Sequence, residues 1–152
     1  TIDIGSTFSF SVPIKTGNLN NITTIDKVDL NAEIGLILIA EDNKMNQLVI
    51  GNILKKLSLN FEFANNGKQA LEMFKQYDYA LILMDLSMPI MDGFEASTEI
   101  RKINQEIPIF ALTANAFEDA NLRAYECGMN EFITKPIDKN KLISVLNSYF
   151  TK

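Results

Sequence analysis

The chain has 152 residues, 47% hydrophobic and 22% charged, with a net charge of −5 at neutral pH. That is the composition of one soluble globular domain with room for an appendage, and the acidic balance without a dense Lys/Arg run argues against a nucleic-acid surface. The chain has no histidine, which excludes His-based catalysis and His metal ligands from this segment.

The first residues, TIDIGSTFSF, lack the basic start and apolar core of a signal peptide. They also lack an initiator Met, so a piece of a longer chain is expected. STFSFSVPI (6–14) alternates polar and apolar residues and stops at Pro13, a strand pattern. Residues 15–33, rich in Asn, Thr and Gly, read as a linker. One strand and a linker cannot bury a core of their own.

From residue 34 the pattern becomes regular. IGLILIA (34–40) is an apolar strand, far short of the roughly 20 residues of a membrane helix. No membrane contact is expected of this segment. Residues 44–58 form a helix, with Met45, Leu48, Val49, Ile53 and Leu57 read as its apolar face. NFEFA (60–64) is a short strand, GKQALEMFKQ (67–76) a helix and ALILM (80–84) a third strand. A helix over 92–103 carries Phe94, Ile100 and Ile103, and IPIFAL (107–112) is the fourth strand. A short helix over 117–127 ends in the lone Cys127, read as a small buried residue without a disulfide partner, as in a reducing compartment. EFIT (131–134) is the fifth strand, and residues 138–150 close the chain as a helix. Near-continuous apolar strands alternating with helices predict a doubly wound α/β fold with a parallel sheet.

In such a fold, ligands bind beyond the carboxyl ends of the strands. The residues found there are Glu41 and Asp42 after the first strand, Asp85 after the third, Thr113 after the fourth and Lys135, followed by Pro136, after the fifth. Each has a plain alternative. Acids favour helix N-termini, and a lone lysine is usually solvated. Together they make one chemical set. Crowded carboxylates repel, a hard divalent cation such as Mg²⁺ relieves that repulsion through oxygen ligands, and a phosphoryl group needs the cation, an ammonium and a hydroxyl. Asp85 is then the natural nucleophile, forming an aspartyl-phosphate.

The segments ILIAEDNKMNQ (37–47), LILMDLSMPIMDGFEA (81–96), IPIFALTANAF (107–117) and GMNEFITKPID (128–138) closely resemble the receiver (response-regulator) domain of two-component signalling. The resemblance covers residues 34–152, and phrases such as EDNKMNQ and ALTANA look most like receivers of hybrid sensor histidine kinases. The short GSTFSFSVPI (5–14) looks like the last strand of a kinase ATP-binding domain. These likenesses divide the chain into a kinase remnant (1–14), a linker (15–33) and a receiver (34–152).

The resemblance implies a flavodoxin-like, five-stranded parallel sheet of order 2-1-3-4-5 with helices on both faces. It implies Asp85 as phosphoacceptor, and Mg²⁺ held by Glu41, Asp42, Asp85 and the backbone carbonyl of Ser87. Thr113 and Lys135 would contact the phosphoryl oxygens, and Phe132 would be the aromatic whose rotamer follows Thr113. Glu41 stands where Asp is frequent, which alters reach but keeps the charge. Phe132 stands where Tyr is frequent, which removes a phenol hydroxyl.

The implied function is a phosphorelay module that accepts a phosphoryl group from phosphohistidine and switches conformation. It catalyses its own phosphorylation and dephosphorylation without being a turnover enzyme. Its partner would be a phosphohistidine-bearing kinase or phosphotransfer domain, and its place the cytoplasm or the cytoplasmic part of a membrane-bound sensor kinase. A degenerate receiver acting only as an interaction module is the rival reading, yet such receivers lose the acceptor, the acids or the lysine. A haloacid-dehalogenase-like phosphatase is a second rival, but it needs an Asp where Ser87 stands.

Overall fold

Three apolar strands take the centre of one sheet because only there are both faces of a strand covered. The computed structural model describes residues 34–114 and 118–150; the strand expected at 6–14 and the linker at 15–33 lie outside them. The elements in chain order are β1 (Ile37–Ala40), α1 (Lys44–Lys56), β2 (Phe61–Ala64), α2 (Gly67–Phe74), β3 (Leu81–Asp85), α3 (Gly93–Ile103), β4 (Ile109–Thr113), α4 (Glu118–Glu126), β5 (Glu131–Thr134) and α5 (Lys139–Phe150). All strand pairs are parallel, and the order is β2-β1-β3-β4-β5, as the resemblance implied. β1, β3 and β4 are buried throughout, while the edge strands β2 and β5 are only partly so.

Strand side chains alternate between the two faces. Leu38, Ala40, Ile82, Met84, Ile109 and Ala111 pack with Ala70 of α2, Ile100 of α3 and Ala124 of α4. Ile37, Ile39, Leu81, Leu83, Phe110 and Leu112 pack with Ile50 and Leu54 of α1 and Leu142 and Leu146 of α5. Helices therefore cover both faces, two on one side and three on the other.

The expected apolar face of α1 is corrected. Met45 and Leu48 are 68% and 61% exposed, and Val49 is exposed as well, whereas Gln47, Ile50, Gly51, Ile53 and Leu54 are buried. Positions 47, 50, 51 and 54 form an i, i+3, i+4, i+7 stripe. Gly51 permits that rotation because its bare backbone rests on the rings of Phe61 and Phe63. Buried Gln47 is acceptable because its amide donates to the Glu41 carbonyl and to Asn65 Oδ1. Cys127, expected to be buried, is partly exposed.

Helices α1, α2 and α3 start at the carboxyl rim of the sheet with side-chain caps from Asn43, Asn66 and Asp92. Gly93 follows the last of these. A Cβ there would collide with the Asp85 carbonyl, and the Gly93 N–H donates to the Leu86 carbonyl at 3.2 Å. α3 thus begins in direct contact with the end of β3. Gly93→Ala should lower unfolding free energy by about 1–3 kcal/mol, the usual cost of overpacking, when measured by urea denaturation. Undiminished stability would contradict this close approach.

Candidate functional site

The topology gathers four strand ends at one rim. β1 and β3 are neighbours, so Glu41 and Asp42 lie beside Asp85. Glu41 is fully buried, Asp85 is 5% exposed, and Asp42 is open to solvent. Carboxylate oxygens of the three lie within 4.8 Å of one another. Thr113 ends β4 one residue beyond Leu112, the register partner of Asp85, and is itself buried. Lys135 follows β5 directly, and its N–H donates to the Thr113 carbonyl at 2.7 Å, which brings the lysine over the rim.

The Lys135 ammonium lies 2.6 Å from Glu41 Oε2 and 2.6 Å from Asp85 Oδ2. The contact with Asp85 is a hydrogen bond. The contact with Glu41 is an ion pair, and this buried Oε2 has no hydrogen-bond partner among the described residues. The other Asp85 oxygen, Oδ1, accepts the Ser87 N–H at 3.1 Å. Burial holds the Asp85 carboxyl above the usual carboxylate range and the Glu41 charge adds to this, against the opposing pull of Lys135 and the Ser87 N–H. Burial works to lower the Lys135 ammonium, but the hydrogen bond to Asp85 and the attraction of the Asp85 and Glu41 charges outweigh it and hold it above its ordinary value. Lys135 is therefore a firm cation between two acids.

The structure brings Glu41, Asp42, Asp85 and Lys135 into one cluster, with Thr113 and Ser87 on its border. Phe132 lies elsewhere. It packs edge-on against Tyr125 of α4, with ring centroids 4.6 Å apart. Its strand is nevertheless tied to Thr113, since Phe132 pairs with Ala111 and Thr134 pairs with Thr113.

The sequence reading missed the amide groups behind Glu41. Asn43 N–H and Asn46 Nδ2 both donate to Glu41 Oε1, and Gln47 holds the Glu41 carbonyl at 2.6 Å. The signal was the polar run NKMNQ in the first turns of α1, where an apolar face had been expected.

The donor set is all oxygen, crowded, and includes one buried carboxylate oxygen without a hydrogen bond. Such a set suits a hard divalent cation. Beside it stand an ammonium and the end of β4 with its Thr113 hydroxyl, groups able to receive a phosphoryl group.

Known proteins resemble this chain in sequence and in fold. The sequence pattern of the response regulator receiver domain matches residues 37–147. Hybrid signal transduction histidine kinase I of Dictyostelium discoideum is 35% identical over 93% of this chain, which spans 9% of that relative. Sensor protein EvgS of Escherichia coli is 33% identical over 88% of the chain, which spans 11% of it. Among solved structures, the receiver domain of a sensor histidine kinase from Pseudomonas aeruginosa, with magnesium coordinated in its active-site cleft, is similar with a TM-score of 0.72. It is 34% identical and covers 77% of this chain and 98% of that one. The receiver domain of Ssk1 from Saccharomyces cerevisiae, solved with the histidine phosphotransfer protein Ypd1, is 30% identical with a TM-score of 0.72. That alignment covers 76% of this chain and 88% of that one. The receiver pattern spans more than half of the residues, so the chain belongs to the response regulator receiver domain family and has the phosphoacceptor role of two-component signalling.

Proposed function

We propose that this receiver takes a phosphoryl group from a phosphohistidine onto Asp85. The observation that carries the reading is Asp85 itself, nearly buried at the carboxyl end of β3 with its Oδ2 on the Lys135 ammonium. A carboxylate oxygen of Asp85 attacks phosphorus. The bond from phosphorus to the imidazole nitrogen breaks, its electron pair stays with the imidazole, and an acyl phosphate remains. Lys135, held as a cation, neutralises charge on the phosphoryl oxygens, and the Thr113 hydroxyl donates to one of them. Glu41, Asp42 and Asp85, with the Ser87 carbonyl, are the groups that would hold Mg²⁺. The cation, when bound, offsets the negative charge of the incoming group. Hydrolysis of the acyl phosphate returns the carboxylate and inorganic phosphate.

A donor must bring its phosphohistidine to the mouth of the rim. Met45, Leu48 and Val49 stand exposed on the first two turns of α1, directly after Glu41 and Asp42. Three exposed apolar side chains, unpartnered among the described residues and continuous with the acceptor, suit a phosphohistidine-bearing protein. The chain spans about a tenth of the kinases it resembles, so membership of a hybrid kinase is part of this proposal. So is the division into kinase remnant (1–14), linker (15–33) and receiver (34–152); the burial of Ile34, the first described residue, supports counting it in the receiver. No helix among the described residues is long and apolar enough to cross a membrane. A cytoplasmic place for the module is likewise part of this proposal, by its likeness to receivers of sensor kinases.

The switch follows from charge. A phosphoryl group on Asp85 draws the Thr113 hydroxyl toward it and opens space along β4, into which Phe132 turns from its contact with Tyr125.

Incubation with acetyl phosphate and Mg²⁺ should add one phosphoryl group by intact mass. Uptake should vanish with EDTA or in Asp85→Asn, and persistence in Asp85→Asn would sink the assignment. For Leu48→Asp, the ratio of transfer from a phosphorylated histidine phosphotransfer protein to uptake from acetyl phosphate should fall about tenfold, the loss of one apolar anchor. An unchanged ratio would move the docking surface off α1. Structures with and without beryllofluoride should differ in the rotamers of Thr113 and Phe132; identical rotamers would remove this coupling.

A further inference from the structure

Asn46 has no part in the chemistry above, yet it sits in the stretch EDNKMNQ with its side chain aimed at the acid rim. Its Nδ2 donates to Glu41 Oε1 at 3.0 Å, and the Asn43 N–H donates to the same oxygen at 3.1 Å. Glu41 is completely buried, and its Oε2 has only the ion pair with Lys135. The two oxygens of one carboxylate are thereby divided. Oε1 is filled by two amide donors, and Oε2 is left facing the cationic side of the rim.

Such division needs a cause. The terminal torsion of a glutamate is broad and roughly two-fold, so its rotamer alone does not select the carboxylate plane. The Gln47 amide fixes the Glu41 backbone through its carbonyl but does not touch the carboxylate. The Asn43 N–H supplies one donor, which still permits rotation about that single hydrogen bond. Asn46 supplies the second. Its own backbone is pinned by the cap, since its N–H donates to Asn43 Oδ1 at 3.2 Å.

We propose that Asn46 is a positioning residue that locks the Glu41 carboxylate so that Oε2 faces Lys135, on the side of the rim where Mg²⁺ would be held, a role that rests on the metal-holding part of the function proposed above. It acts through Glu41 and touches neither Asp85 nor Lys135 among the described contacts. The second donor matters here because glutamate has one more rotatable bond than aspartate.

The test is a double-mutant cycle on the full chain, with Mg²⁺ affinity measured by calorimetry and melting temperature measured alongside. Asn46→Ala should weaken Mg²⁺ binding about tenfold, as expected when the hydrogen-bond partner of a metal-holding carboxylate is lost. It should melt within a few degrees of the parent chain. In a Glu41→Gln background the same substitution should add no further loss. Equal losses in both backgrounds, or no loss in the first, would overturn the proposal. A metal-free readout is independent of that titration: the ¹⁵N-detected Asn46 carboxamide resonances should move in Glu41→Gln, and resonances that stay in place would also overturn it. Failure of Asp85 to take a phosphoryl group, with the Asn46–Glu41 coupling intact, would sink the phosphoacceptor reading while upholding the positioning role.

Discussion

One ammonium between two buried carboxylates organises the rim. Lys135 Nζ is 2.6 Å from an oxygen of Glu41 and 2.6 Å from an oxygen of Asp85. Two such acids side by side would repel strongly away from water, and leaving either without its partner typically costs about 3–5 kcal/mol. The lysine comes from beyond the edge strand β5, with β4 lying between β5 and the strand that carries Asp85. Its pairing therefore ties the edge of the sheet to the centre. Any change of charge on Asp85 is felt at once by the segment that follows β5, as a local electrostatic event with a wider readout.

The fold makes this meeting possible. In a parallel sheet every strand delivers its carboxyl end to the same side, so the residues after β1, β3, β4 and β5 arrive together. Adjacency of β1 and β3 sets three acids within reach of one another. Close backbone approach then shapes the border. Gly93 lies against the Asp85 carbonyl, and Gly67 lies against the backbone of Met91 and Asp92, so the starts of α2 and α3 crowd the loop after β3. In that loop Ile90 is held at φ 73° and is 78% exposed. A β-branched residue in the left-handed region is strained by on the order of 1 kcal/mol or more, which the surrounding contacts must offset.

The same rim divides its polar groups by task. Lys135 answers the net negative charge, while amides from α1 answer the orientation of Glu41. Gln47, Asn65 and Gln69 extend that amide network outward to the end of β2. Buried polar groups are tolerable only when paired in this way. The network also explains why α1 carries polar Gln47 on its buried stripe and leaves Met45, Leu48 and Val49 in the open.

Much of this was legible in the residues themselves. Short apolar runs at β1, β3 and β4, set in regular alternation with helical patterns, marked strands buried on both faces of a parallel sheet. Alternation with helices then places Glu41, Asp42, Asp85, Thr113 and Lys135 at one edge. The buried face of α1 was not legible. Met45, Leu48 and Val49 look like a core stripe by hydrophobicity, yet helix rotation is decided by what the sheet offers, namely room for Gly51 against two phenylalanine rings and hydrogen-bond partners for Gln47. The part played by Asn46 was hidden for the same reason, since an amide becomes a carboxylate clamp only when tertiary packing sets it 3.0 Å from a buried oxygen. Sequence periodicity determines which elements form and where their ends gather; the orientation of each side chain about its helix is left to packing, because a helix can turn about its own axis without changing a single local contact.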